Sequence, residues 1–258
     1  MDDRCKQATV SVVVPTRNEA GNVSVLVDRI SVALTPLGVS WEVVFVDDSD
    51  DGTAAEIERT GRRHPVHLCH RLPGHRPGGL SGAVLEGFGC ARGEVLVVMD
   101  ADLQHPPELL PTLIEPVGSG RADLAVASRY TGSGSTAGLD GPIRRVASKW
   151  SRGVTRAVVG RSQTVSDPLS GFFALRRSVV EGIELRPHGF KILLEILARG
   201  RWARVEEVPF VFGHRISGDS KAGVSEGMRF ARHLARLVRP ARTGVASPGV
   251  PLRGELIK

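Results

Sequence analysis

An α/β fold with a mostly parallel central sheet flanked by helices is what this sequence predicts, and three observations predict it. Short β-branched or apolar runs recur at Thr9 to Val14, Glu42 to Val46 and Val95 to Met99. Stretches with helical periodicity separate them, and each run ends in a cluster of polar residues. Strand patterns alternating with helix patterns are the signature of βαβ units, whose strands are parallel and buried.

Taken in order, the first strand pattern leads to a helix expected over Gly21 to Leu34, and the second to one over Thr53 to Arg63. Val66 to Cys69 reads as a further short strand and Gly79 to Arg92 as a helix. After Val95 to Met99 come a helix from Pro107 to about Val117 and a strand at Ala122 to Ala127. Ligands in such sheets bind beyond the carboxyl ends of the strands. The polar residues collect there: Pro15 to Glu19, Asp47 to Asp51, Asp100 to Gln104 and Ser128 to Tyr130.

Past residue 130 the texture changes. Thr131 to Gly138 is a Gly- and Ser-rich loop, suited to act as a lid. From Pro142 to Val159, Ile143, Val146, Trp150, Val154 and Ala157 follow helical spacing, with Arg144, Arg145, Lys149, Arg152 and Arg156 on other faces. Residues 223–239 repeat the device with Arg229, Arg232, Arg236 and Arg239. Each helix reads either as packed on the sheet with a solvated basic face or as a contact for anionic lipid headgroups. The domain reading is one α/β domain over residues 1–222, a basic amphipathic helix over 223–239 and a disordered tail over 240–258.

The net charge of +6 points to an anionic partner. Arginine outnumbers lysine 29 to 5, yet one tyrosine and few aromatics near the basic clusters leave no base-stacking platform, so nucleic acid is not expected. Three widely spaced cysteines, Cys5, Cys69 and Cys90, lack metal-ligand spacing and read as buried free thiols in a reducing compartment. No apolar h-region and no run of about 18 apolar residues is present. The expected location is therefore cytoplasmic or peripheral on a membrane.

Residues 95 to 108, Val-Leu-Val-Val-Met-Asp-Ala-Asp-Leu-Gln-His-Pro-Pro-Glu, carry the strongest chemical signal. On an extended segment, side chains at i, i+2 and i+4 point the same way, so Asp100, Asp102 and Gln104 are expected to offer three oxygen donors to one hard cation. Mg²⁺ or Mn²⁺ is held by one or two carboxylates plus substrate phosphates, which makes a nucleoside diphosphate the natural companion. The plain alternative is an acidic turn that caps the helix begun by Pro106 and Pro107.

Seven segments in this order resemble the family 2 inverting glycosyltransferases, and within them the dolichol-phosphate mannosyltransferase (polyprenol monophosphomannose synthase) group. They are Val-Val-Val-Pro-Thr-Arg-Asn-Glu at 12–19, Val-Asp-Asp-Ser-Asp-Asp-Gly-Thr at 46–53, Met-Asp-Ala-Asp-Leu-Gln-His-Pro-Pro-Glu at 99–108 and Ser-Arg-Tyr at 128–130. Asp-Pro-Leu-Ser-Gly-Phe-Phe at 167–173, Gly-Phe-Lys-Ile-Leu-Leu-Glu at 189–195, and Glu-Val-Pro-Phe followed by Arg215 and Ser220-Lys221 complete them.

The resemblance implies a GT-A type nucleotide-sugar fold over residues 1–222. It implies that Pro15, Arg17, Glu19, Val46 and Asp48 bind the donor nucleoside, with Asp100, Ala101, Lys191, Arg215 and Lys221 toward its phosphates. Asp100, Asp102 and Gln104 become the metal site. Arg129, Arg144 and Ser148 become the site for an acceptor phosphate, and Asp100, Asp102 and Arg129 the catalytic set. Arg144 and Ser148 lie one helical turn apart, as two ligands of one oxyanion would. Arg17 stands where the family usually has an aromatic residue, and the second acidic loop is a residue shorter than is common, which leaves the nucleobase open. Asp167 and Glu195 are candidates for sugar hydroxyls, or else a turn cap and a surface charge.

A phosphate monoester acceptor is largely ionised near neutral pH and needs no strong base. The expected reaction is in-line transfer of a hexose with inversion, mannose from GDP-mannose to a polyprenyl or dolichyl phosphate at the cytoplasmic face of a membrane. The basic helices or a separate membrane-anchoring protein would supply attachment. The alternatives are transfer of glucose or GlcNAc from a UDP-sugar to undecaprenyl phosphate or to a soluble acceptor, or a peripheral membrane binding module without turnover. A dinucleotide-binding oxidoreductase is disfavoured, since no Gly-X-Gly-X-X-Gly follows the first strand.

Overall fold

β1 (Val10–Thr16), Val-Ser-Val-Val-Val-Pro-Thr, is buried along its whole length, as the strand of a sheet covered on both faces must be. The computed structural model describes residues 10–132, 165–185 and 192–211. Its elements continue with α1 (Ala20–Leu34), β2 (Trp41–Asp47), α2 (Thr53–Gly61), β3 (Val66–His70), α3 (Gly79–Cys90) and β4 (Val95–Val98). Then follow α4 (Leu110–Gly118), β5 (Leu124–Ser128), β6 (Phe173–Arg176), α5 (Ile192–Arg199) and β7 (Val205–Pro209). The described strands form one seven-stranded sheet in the order β3-β2-β1-β4-β6-β5-β7.

Two apolar layers sandwich this sheet, and the two-residue period of the strands sorts side chains between them. Val12 and Val14 of β1 join Leu26, Ile30, Phe45, Leu113 and Phe172 on one face. Val13 joins Val44, Ala83, Phe88, Phe173, Leu193 and Trp202 on the other. In α1 the buried residues Val23, Leu26, Val27, Ile30 and Leu34 trace one helical stripe, and each such side chain contributes about 1.5–3 kcal/mol by leaving water. On the opposite face α3 lies so close to the sheet that a Cβ on Gly87 would sit 2.3 Å from Val13 Cγ1. Only glycine admits that approach.

The strand-helix alternation expected up to residue 127 is present, with shifted ends. β1 runs on to Thr16, and the helix expected from Pro107 opens as a 3₁₀ turn at Pro107–Leu109 before α4. β6, α5 and β7 were not expected. β6 runs antiparallel to both β4 and β5, whereas β1 to β4 pair in parallel and β5 pairs in parallel with β7.

The expectation of buried thiols is corrected for two cysteines: Cys69 is half-buried and Cys90 exposed. β3 is an edge strand, so Cys69 packs against the margin of the core without full burial, and Cys90 ends its helix. Among the described residues no helix is long and apolar enough to cross a membrane. Cys5, the loop from Ser133, the two basic helices and the tail lie outside the described residues, as do the boundaries drawn at 222 and 239.

Candidate active site

The carboxyl ends of β1, β2 and β3 are joined by a lattice of short polar ties at one end of the sheet. Asn18, at φ 60°, donates its backbone N–H to Ser49 Oγ at 2.8 Å and accepts Asp50 N–H on its side chain at 3.2 Å, clamping the first two strand-end loops together. A non-glycine residue in this left-handed region is uncommon, and asparagine is among those that tolerate it best. Asp47 is fully buried, held by His70 Nδ1 at 2.8 Å and by the Ser49 hydroxyl. Next to it, Asp48 accepts both arms of Arg71, Nε at 2.8 Å and Nη2 at 2.6 Å. Arg71 is itself buried and also donates to the carbonyls of Pro77 and Gly79, so it ties β2 to the start of α3.

Further out, Arg76 donates to Asp50 at 2.9 Å and holds that carboxyl below its ordinary range. Arg17 is mostly exposed, 4.0 Å from Asp50. Glu19 gives its N–H to Thr53 Oγ1 and accepts Asn22 Nδ2 at 2.6 Å. Pro15 and Val46, read from the sequence as pocket lining, are buried within their strands. Val46 belongs to the core, where a Cβ on Gly87 would sit 3.1 Å from its Cγ2.

The acidic lip follows β4, though not in the extended form the sequence suggested. The strand stops at Val98 and Leu103 adopts φ 62°, so Asp100, Asp102 and Gln104 belong to a tight bend rather than to alternate positions of a strand. A bend is favoured because Asp102 Oδ1 accepts Gln104 N–H at 3.1 Å, a local side-chain turn that competes with the ladder. Asp102 is buried, while the Asp100 side chain is 40% exposed.

Under the lip lies His105, whose Nδ1 accepts the backbone N–H of Asp100 at 3.0 Å. That bond assigns the ring proton to Nε2, and burial lowers the imidazole pKa, so the ring is neutral. It stacks on Phe172 with centroids 5.1 Å apart and meets the edge of Phe210 at 6.0 Å. A Cβ on Gly171 would be 3.3 Å from both Asp100 Oδ2 and His105 Cε1, so the Ser-Gly-Phe segment passes close beneath the acidic bend.

The other side of this sheet end comes from β5 and β7. Arg129, just past β5, donates Nε and Nη2 to the two oxygens of Asp167 at 2.7 and 2.8 Å, with its backbone N–H on Asp167 at 3.2 Å. Burial opposes the guanidinium charge, but the Asp167 hydrogen bonds and charge outweigh it and raise the pKa, with Asp100 adding in the same direction. Arg129 also lies over the Tyr130 ring, 5.6 Å from its centroid. The segment that carries Asp167 is in turn gripped by Glu207 of β7, whose carboxylate accepts Ser166 N–H and O–H and Asp167 N–H at 2.7 to 3.2 Å. Asp167 thus anchors Arg129. Glu195 is 2% exposed rather than a surface charge, with Arg199 Nε 3.6 Å away.

The structure therefore brings Asp48, Asp100, Ala101, Asp102, Gln104 and Arg129 to one end of the sheet. Lys191, Arg215, Lys221, Arg144 and Ser148 lie outside the described residues. Sequence reasoning missed Asn18, His70, Arg71, Arg76 and Glu207. The strand-end rule applied to Val66–Cys69 points to His70 and Arg71, the polar residues directly after it. Glu207 has no such signal, because its partners are 40 and 41 residues away in sequence.

Two carboxylates and a carboxamide are the hard-oxygen donors that Mg²⁺ or Mn²⁺ takes when substrate phosphates complete the shell. Among the described residues no three His, Cys, Asp or Glu side chains form a metal cluster, and this donor set of two carboxylates and a carboxamide leaves coordination positions for substrate phosphates.

A mixed sheet of this order, with an acidic bend after the fourth strand facing an anchored arginine, defines a GT-A glycosyltransferase by class. Glucosyl-3-phosphoglycerate synthase from Mycobacterium tuberculosis, solved with Mn²⁺, UDP-glucose and phosphoglyceric acid, shares the fold at TM-score 0.60. It is 21% identical, with 90% of this chain and 78% of that chain covered. The model of glycosyl transferase family 2 matches residues 11–183, and the chain belongs to that family of sugar-transferring enzymes.

Relatives within it are much nearer in sequence. Dolichol-phosphate mannosyltransferase of Pyrococcus furiosus is 45% identical over 89% of this chain, which spans 64% of that protein's length. The Saccharomyces cerevisiae protein of the same name is 36% identical, with 88% of this chain and 86% of the yeast protein covered.

Proposed function

We propose that this chain transfers a hexose, mannose from GDP-mannose, to a polyprenyl phosphate at the cytoplasmic face of a membrane. One observation carries the reading: the acidic bend after β4 and Arg129, fixed by its bidentate pair with Asp167, lie at the same end of the sheet, so a cation-binding lip and a fixed cationic group share one site. A sugar held between a diphosphate and an attacking phosphate needs those two charges on its two sides. The sequence identity to mannosyltransferases named for a dolichol phosphate supports the lipid acceptor over a soluble one.

In this reading the lattice around Asp48, Arg71 and Asp50 orients the nucleoside. Asp100, Asp102 and Gln104 would hold Mg²⁺ or Mn²⁺, which neutralises the departing diphosphate when bound. Arg129, oriented by Asp167, binds and aligns the acceptor phosphate, whose ionised oxygen attacks without a general base. Arg144 and Ser148 complete that oxyanion site, and Lys191, Arg215 and Lys221 contact the donor phosphates. The basic helices, or a separate membrane-anchoring protein, bring the chain to the anionic lipid surface.

The test is incubation of the purified chain with labelled GDP-mannose, metal and polyprenyl phosphate. UDP-glucose, UDP-GlcNAc and a soluble phosphoglycerate acceptor run in parallel. Label entering the lipid phase from GDP-mannose is the expected result. Transfer from a UDP-sugar alone, or only to the soluble acceptor, overturns the donor or the acceptor assignment respectively. Lipid binding without turnover, unaltered in Asp102→Ala, identifies a binding module instead.

A further inference from the structure

Cys69 of β3 and Cys90 at the end of α3 are 21 positions apart in sequence, yet their Sγ atoms lie 2.6 Å apart. Cys90 is exposed and Cys69 half-buried at the sheet edge, so a solution reagent reaches the pair through Cys90. We propose that these two thiols are a thiol–disulfide exchange site that takes a small-molecule disulfide of the glutathione type and closes to an internal cross-link. The inference stands on this contact and its exposure, independent of the reading of the crevice.

The exchange balances in two steps. The Cys90 thiolate attacks one sulfur of the incoming disulfide and expels the first small thiolate, leaving a mixed disulfide on Cys90. Cys69 then gives up its proton, attacks the Cys90 sulfur and expels the second. Two protein thiols are oxidised and one disulfide is reduced to two small thiols.

The order of attack follows from the local electrostatics. Cys69 donates its S–H to Cys90, and this hydrogen bond lowers the Cys90 pKa although burial, Glu86 and Glu42 oppose it. The same contact, together with burial, pushes the Cys69 thiol up. Cys90 is the better thiolate and the more accessible one. The closed ring would enclose Arg71 and Arg76, the arginines that fasten Asp48 and Asp50 to α3 and its approach.

The test exposes the reduced full chain to graded ratios of glutathione disulfide to glutathione. Acid quenching, alkylation and peptide mass mapping follow. The expected result is joint loss of two alkylatable thiols, a linked peptide containing Cys69 and Cys90, and full recovery on reduction. Cys5→Ser should leave this unchanged, and Cys90→Ser should abolish the linked peptide. The proposal is overturned if both thiols stay alkylatable in excess glutathione disulfide, if glutathione adducts accumulate without the link, or if the link runs to Cys5. The wild-type mapping decides the question even should a serine variant fold poorly.

Discussion

The two halves of the sheet build their parts of the crevice in opposite ways. On the β3-β2-β1-β4 side the strands are parallel, and functional groups sit in the loops that each strand runs into. On the β6-β5-β7 side an antiparallel strand intervenes, and Arg129 owes its position to residues 38 or more positions away: Asp167 directly and Glu207 beyond it. The acidic bend rests on local chain geometry and the Arg129 anchor on tertiary ties. A substitution at the bend should therefore cost chemistry before stability, and one at the anchor should cost both.

Asp102→Asn offers the strongest contrast. It keeps an oxygen to receive Gln104 N–H but removes the charge, so transfer should fall by about 10²- to 10³-fold while the melting temperature barely moves. A matching loss of stability would erase the distinction between the halves. Asp167→Asn should behave differently, because it strips a charge from a buried bidentate pair. Denaturant titration should show a loss of about 3 kcal/mol, the low end for such pairs since Arg129 keeps some solvent contact, alongside lost transfer.

Within the parallel half, Gly87→Ala sharpens the point by attacking packing alone. The added methyl meets Val13, and overpacking should cost about 1–3 kcal/mol, with kcat for the surviving folded enzyme unchanged.

A smaller effect is expected at Asp123, which accepts N–H bonds from Ala203 and Arg204 at 2.9 and 3.0 Å and so starts the β5-β7 pairing. Burial works against its charge, but those bonds prevail and lower its pKa from 3.8. The unfolded chain then binds the proton first as pH falls, so the contribution is full above about pH 5 and fades through about pH 4 and below. Asp123→Asn should flatten stability against pH in that window, with a small loss relative to wild type at neutral pH that disappears below about pH 4. Smallest of all, Arg121→Ala removes exposed pairs with Glu115 and Glu206 and should leave melting and transfer indistinguishable from wild type.

The same division governs what could be read in advance. Val10–Thr16, Trp41–Asp47 and Val95–Val98 were legible because buried parallel strands need unbroken apolar runs. Asp100, Asp102 and Gln104 were singled out through their residue types. The geometry expected of them was not met, because an Asp side chain can close a turn on its own neighbours as readily as a strand can continue. Phe173–Arg176 escaped notice since four residues carry too little periodicity to tell a strand from a loop. Asp167 was read as a sugar contact or a turn cap, whereas its partner is Arg129.

By itself, then, the sequence determined the βαβ alternation and the family, because these reside in short patterns of hydrophobicity and residue type. Only the tertiary structure decided that β6 enters antiparallel, that Arg71 is buried on Asp48, that Glu207 fixes Arg129 through Asp167, and that Cys69 meets Cys90. Those pairings join residues 21 or more positions apart in sequence. Their partners are chosen by how the sheet and its helices stack, which no local pattern encodes.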